Sequence, residues 1–284
     1  MSVEPPPDHV LAAFGLNAAR PAALGAGWED GWRCGEVVLS QVADHARAAW
    51  SAKVRETLFV DGVRLARPVR STDGRFVVSG WRADTFVAGT PEPRYDEVVS
   101  AAVRLHEATA KLERPRFLTQ PPSAPWAEVD VFIAADRAAW EDRPLHSLPS
   151  GARLAPGSAD GQRSIDLLQA LAILRKPTRS PNQLVHGDLY GTVLFAGAAA
   201  PGITDITPYW RPTSWAAGVA VVDALSWGDA DDGLVERWDA LPEWPQMLLR
   251  ALMFRLAVHA LHPRSTAAAF PGLARTAAVV ESVI

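Results

Sequence analysis

The spacing of apolar residues changes near residue 90, and a chain with that change must place a strand-rich part before a helical one. Before the change, GEVVLSQV (35–42) is short, apolar and β-branched, and ADHARAAWSAKVRETLF (43–59) is helix-like. VRLARPVRSTDGRFVVSGW (63–81) then reads as two strands about a turn at Thr72, Asp73 and Gly74. TPEPRY (90–95) is a proline-containing link. After it, Asp96 opens DEVVSAAVRLHEATAKL, in which Val98, Ala101, Ala102, Leu105 and Ala108 recur at helical spacing. A loop-rich region over 120–160 precedes a second helix, SIDLLQALAILRK (164–176). Two short strands, in QLVHGD and GITDI, flank a turn at 197–202, and the remainder is mainly helical, with WPQMLLRALMFRLAVHALHP (244–263) its clearest amphipathic stretch. The expectation is an α+β chain with a β-rich domain over 1–90 and a helical domain over 91–284.

A chain of 284 residues that is 48% hydrophobic and 21% charged can bury a sizeable core, which excludes a disordered protein. Its net charge of -4 gives no general attraction for nucleic acid. A single cysteine, Cys34, excludes an internal disulfide and a cysteine-rich zinc site and suits a reducing cytoplasm. The start, MSVEPPPDHV, lacks a basic and then apolar leader, and the run WAAGVAVVDALSW is broken by Asp223 short of a membrane span. A cytoplasmic protein without a membrane partner is expected.

The chemistry is concentrated in LVHGDLYGTVLFAGAAAPGITDITPYWRP (184–212). Asp188 follows a strand, with Gly187 allowing a tight turn, and Asp205 ends a second strand seventeen residues later. Phosphoryl transfer needs one carboxylate beside the acceptor hydroxyl and another holding the magnesium that bridges the nucleotide phosphates. Aspartates at strand ends also cap turns, so spacing alone leaves both readings open.

HGDLYGTVLF followed by ITDITPYWRP resembles the catalytic loop and metal segment of the aminoglycoside phosphotransferase and choline kinase superfamily, most nearly an uncharacterised actinobacterial branch of it. GWRCGEVVL, RLARPVRSTDGRFVVSGW, EVVSAAVRLHEA and LLRALMFRL fall in the expected order, so the resemblance spans nearly the whole chain. It implies a two-lobed protein-kinase-like fold, with a small β-rich amino-terminal lobe and a larger, mainly helical carboxy-terminal lobe. It also implies ATP and magnesium as cofactors and a small-molecule acceptor. Asp188 would orient the acceptor hydroxyl, Asp205 would hold magnesium, and His186 would shape the loop behind Asp188. Arg211 would contact phosphate or substrate, or pair with a local carboxylate.

The sequence departs from that pattern at four places. Thr192 stands where relatives have a metal-binding Asn, and Ser40 where they have a phosphate-binding Lys. Lys53 stands where the next helix has the Glu that pairs with that Lys; it either replaces the missing cation or is a solvated residue pairing with Glu56. The phosphate-covering turn, GAGWEDGWRCG (25–35), keeps Gly25, Gly27 and Gly31 but carries Glu29 and Asp30, which repel phosphate.

Two functions follow. One is an ATP-dependent small-molecule phosphotransferase with a degenerate nucleotide site. The other is a pseudokinase serving in binding or regulation through a protein partner, or the same fold repurposed for another reaction on a metabolite. Asp223, Asp229, Asp231 and Asp232 suit a cationic acceptor if they face the cleft, and Trp215, Trp227, Trp238 and Trp244 are either pocket lining or core. His106, His259 and His262 read as structural, capping or surface residues.

Overall fold

The computed structural model describes residues 4–120, 128–141 and 160–284; most of the loop-rich region expected over 120–160 lies outside them. In chain order the elements are α1 (Asp8–Ala13), β1 (Ala22–Ala23), β2 (Trp32–Cys34), β3 (Val37–Gln41), α2 (His45–Thr57), β4 (Arg64–Leu65), β5 (Pro68–Val69), β6 (Val77–Val78), β7 (Trp81–Thr85) and α3 (Tyr95–Thr109). There follow α4 (Glu128–Trp140), α5 (Asp160–Ala172), β8 (Gln183–His186), β9 (Gly202–Ile203), β10 (Pro208–Arg211), α6 (Thr213–Trp227), α7 (Gly233–Arg237), α8 (Trp244–Leu261) and α9 (Phe270–Glu281). The chain divides into two compact units: Met1–Glu113 with Leu184–Tyr209, and Arg114–Gln183 with Trp210–Ile284.

The first unit is organised by an antiparallel sheet in the order β1-β2-β3-β7-β5, with β6 also on β7. Along β3 and β7 alternate residues face opposite sides. Leu39 and its partner Ala83 join Val10, Leu11, Phe14, Cys34 and Trp81 in one apolar cluster. The other face carries Ser40 opposite Arg82 and Val38 opposite Asp84, so two buried charges occupy positions that an apolar core would take. Asp44 caps α2, its carboxylate accepting from the Arg47 amide at 3.0 Å. β9 runs parallel to β4, pairing Gly202 with Arg64, and β8 pairs with β10.

In the second unit α8 is the central element, packed against α4, α5, α6 and α9. It is buried on nearly every side, not along one stripe, which corrects the amphipathic expectation. One of its buried polar residues, Arg255, holds Asp223 of α6 in a buried pair. Gly272 lets the start of α9 press on the end of α6, since a Cβ there would meet the Ser226 carbonyl oxygen at 2.0 Å. Among the described residues no helix is long and apolar enough to cross a membrane.

Candidate active site

The first unit brings a buried ionic network to Asp205. Ser51 and Arg55 are one turn apart on α2 and share a face. The Ser51 hydroxyl donates to Asp205 Oδ1, and the Arg55 Nε lies 3.3 Å from the same oxygen. Arg55, with no exposed surface, also donates from Nη1 to Asp84 Oδ1 at 2.7 Å and to the Ala66 carbonyl at 2.7 Å. From the sheet, Arg82 donates to Asp205 Oδ2, reaches Glu29 at 3.0 Å and stands 3.4 Å from Asp84. Burial acts to raise the Asp205 pKa, but Arg82, Arg55 and the Ser51 hydroxyl overcome it and hold the carboxyl well below its ordinary range. Burial likewise acts against the charge on Arg82, and Asp205, Glu29 and Asp84 overcome it. Asp205 is therefore a carboxylate at neutral pH.

Two histidines tie this network to the loop of Asp188. His106 of α3 is buried, and its Nε2 accepts from the His186 amide at 3.0 Å. His186 Nδ1 in turn accepts from the Thr207 amide at 3.1 Å, two residues past Asp205. The Thr109 hydroxyl donates to the Leu184 carbonyl at 2.9 Å, fixing α3 to β8. Both rings must keep an acceptor nitrogen, so both are neutral. Burial, with His186 nearby, pushes His106 down to about 3, and burial lowers His186 against the opposing charges of Asp188 and Asp205. Within the loop the Thr192 hydroxyl donates to the Asp188 carbonyl at 2.7 Å, leaving its oxygen lone pairs for another ligand. Gly187 admits the Tyr209 ring, which a Cβ would meet at 2.5 Å.

The glycine turn lies over β3. A Cβ on Gly31 would meet the Ser40 hydroxyl at 2.6 Å and one on Gly27 would meet Leu194 at 2.6 Å, so the turn is packed down on its neighbours. A small residue at position 40 is what this close approach requires. Gly25 is exposed at the base of the turn, and Glu29 and Asp30 after it adopt φ of 51° and 54°. That conformation aims Glu29 at Arg82. Arg82 draws the Glu29 carboxyl down, but partial burial and the charges of Asp205, Asp188 and Asp84 outweigh it and leave Glu29 above the usual carboxylate range.

Asp188, Asp205 and Thr192 thus fall in one unit, which also holds Gly27, packed on Leu194 and Pro91. Lys53 is two residues from Ser51, on the opposite side of α2, and is exposed. Glu56 pairs with Arg70, at 2.8 and 3.0 Å, and not with Lys53. The cations at Asp205 are arginines that pattern reading passed over. Arg55 was hidden among similar polar residues of an alanine-rich helix, and Arg82 lay just past the strand expected to end at Trp81. Arg82 is the ladder partner of Ser40, a position the resemblance had singled out. Elsewhere, Arg211 pairs with Asp136 through two 2.7 Å bonds, Asp223 is held by Arg255 and Asp231 by Arg237. Trp215 and Trp244 are core, and His259 is buried against Ser265 and Phe270 and does not lie on the surface. Among the described residues no three His, Cys, Asp or Glu side chains converge as a metal site.

No family model matches the sequence, and no curated protein does. In structure, the chain matches an aminoglycoside phosphotransferase from Alicyclobacillus acidocaldarius with a TM-score of 0.54 at 15% identity, covering 99% of this chain and 95% of the other. A thermostable mutant of aminoglycoside phosphotransferase APH(4)-Ia, in ternary complex with ADP and hygromycin B, gives 0.53 at 14% identity over 99% of each chain. APH(2")-IIia, in complex with GDP and kanamycin, gives 0.52 at 13% identity over 97% of this chain and 98% of that one. At these identities the likeness establishes the fold, the protein-kinase-like α+β architecture that the sequence motifs imply.

Proposed function

We propose that this chain, which has the aminoglycoside phosphotransferase fold, is an ATP-dependent phosphotransferase acting on a small-molecule alcohol, with its nucleotide site rebuilt on arginine. The observation that carries this reading is the position of Arg82. It stands opposite Ser40 in the β3–β7 ladder and reaches Asp205, so the cation missing from one strand is restored from the next. A guanidinium offers several donors to phosphate oxygens and keeps its charge when buried. Asp188 would orient the acceptor hydroxyl and accept its proton. Asp205 and the Thr192 hydroxyl are hard oxygen donors of the kind magnesium takes; the metal, bound with nucleotide, would neutralise charge on the transferred phosphoryl group.

Titration calorimetry with ATP, with and without magnesium, tests this on the whole chain. Arg82→Met is expected to weaken ATP about 10–100-fold, the worth of a charge-assisted contact of about 1.5–3 kcal/mol. Arg82→Lys should recover part of the loss, and Lys53→Met should change nothing. Equal ATP affinity in folded Arg82→Met would overturn the assignment. Asp188→Asn is expected to leave ATP affinity within about twofold while phosphate transfer in an acceptor screen disappears.

One observation favours the pseudokinase alternative: both oxygens of Asp205 accept hydrogen bonds from this chain, and Glu29 lies on Arg82 where phosphate would. Under that reading magnesium has no effect on ATP binding, and Glu29→Gln strengthens binding without creating turnover.

A further inference from the structure

The turn over 25–31 is shut by two contacts that neighbouring residues make. Trp28 is 5% exposed; its ring lies 5.9 Å from that of Phe86 at an interplanar angle of 17°, in an apolar cluster with Val38, Ala66, Val87 and Leu194. Glu29 accepts from Arg82 Nη2 at 3.0 Å, while Arg82 Nη1 donates to Asp205. Within the turn, the amides of Trp28 and Asp30 donate to the Gly25 carbonyl, that of Glu29 to Ala26 and that of Gly31 to Trp28, at 2.9 to 3.3 Å.

This closed form carries costs that opening would relieve. Glu29 and Asp30 are consecutive non-glycine residues in the left-handed region, a conformation that persists only where the surroundings impose it. The Trp28 Nε1–H is buried with no hydrogen-bond partner among the described residues, a bond that water would otherwise make. The Glu29 carboxylate shares Arg82 with Asp205, whose like charge opposes it. The ion pair is the weaker hold, since the Glu29 side chain is 49% exposed. Most of the closure therefore rests on the buried indole.

We propose that the turn over 25–31 is a self-inhibitory latch on Arg82, shut by Trp28 and Glu29 and opened by a polyphosphate that takes the place of Glu29 on the guanidinium. Phosphate and Glu29 offer Arg82 the same kind of anionic oxygen, so the two compete for its donors. Because Trp28 directly precedes Glu29, drawing the carboxylate off Arg82 pulls on the indole, and loosening the indole frees the carboxylate. The latch rests on the reading of Arg82 as the phosphate contact, and adds that this contact is covered at rest.

Calorimetry of the full chain with sodium tripolyphosphate, which has no base to stack on an aromatic ring, tests the latch at constant ionic strength. Glu29→Gln and Trp28→Leu are each expected to bind at least about tenfold more tightly than the parent, the gain from releasing a site that is open in about one molecule in ten or fewer. Trp28→Leu is the sharper variant, because it leaves every charge in place, whereas Glu29→Gln also removes a repulsion. In hydrogen exchange on the parent, saturating tripolyphosphate should lower the protection of the Trp28, Glu29, Asp30 and Gly31 amides. Equal affinity in the parent and Trp28→Leu, or turn amides as protected with tripolyphosphate as without it, overturns the latch. If Arg82→Met then still weakens binding at least about tenfold, the phosphate contact stands without a latch. Tripolyphosphate that binds neither the parent nor any variant, or binds Arg82→Met as well as the parent, overturns both. If Trp28→Leu does not fold, the exchange measurement on the parent decides.

Discussion

An Arg55→Met variant is expected to lose about 3–5 kcal/mol of stability in urea denaturation, the cost of breaking a buried charge network by removing one partner. Methionine fills much of the same volume, so the loss measures charge and hydrogen bonding more than a cavity. Arg55 touches both Asp84 and Asp205 from α2, and without it these two buried carboxylates keep the guanidinium of Arg82 as the ion-pair partner they share. The Ala66 carbonyl also loses its donor. Adding Asp84→Asn to Arg55→Met removes one of the stranded charges and should recover at least about 1 kcal/mol, a coupling of the size contacting residues show. If Arg55→Met melts like the parent, the network is solvated and Arg55 does not hold the Asp205 carboxyl in its charged form.

The same network shows where sequence reading succeeds. The loop of Asp188 and the segment of Asp205 were legible because their glycines, histidine and strand ends are local features. Gly187 must admit Tyr209, and His186 must reach the Thr207 amide. Ser40 was singled out in the sequence because the resemblance implies a lysine there. Its buried ladder partner Arg82 was not, because WRADT alternates apolar residues with charges whose side of the sheet is buried, and hydrophobic periodicity marks such a face as solvent. Choosing Arg55 over Lys53 on α2 required knowing which face met Asp84, a contact 29 residues away in sequence. The helix α8 was mistaken for amphipathic for a related reason. Gln246, Arg250, Arg255 and His259 give it a polar stripe, yet all four are buried. Polar groups buried inside a core look like surface in a sequence; only the tertiary packing reveals them.

Acid is expected to weaken the fold at a pH where Asp205 is still ionised. A histidine near 6.5 when unfolded and near 3 when folded binds a proton more tightly in the unfolded chain, so its stabilisation is complete above about pH 6.5 and is lost as pH falls toward 3. At pH 4.5 about two units of that difference are exposed, at about 1.4 kcal/mol each, so His106 alone should remove about 3 kcal/mol relative to pH 7.5. His186, lowered as well, adds in the same direction. Asp205 does not contribute in this window, because a depressed carboxyl loses its stabilisation only below its unfolded value near 3.8. Glu29, raised in the fold, has the opposite sign, and its half-exposed side chain keeps that effect small. The discriminating variant is His106→Gln, whose side-chain oxygen can accept from the His186 amide without titrating. Urea denaturation at both pH values should show a smaller acid loss in that variant by about 2–3 kcal/mol. An unchanged acid loss would mean that His106 keeps its solution pKa, and with it that the His186 amide is not bound to the His106 ring. The physical content is that the two aspartate-bearing segments are joined through imidazole acceptors, so protonating those rings should loosen the Asp188 loop from Asp205 before the sheet itself melts.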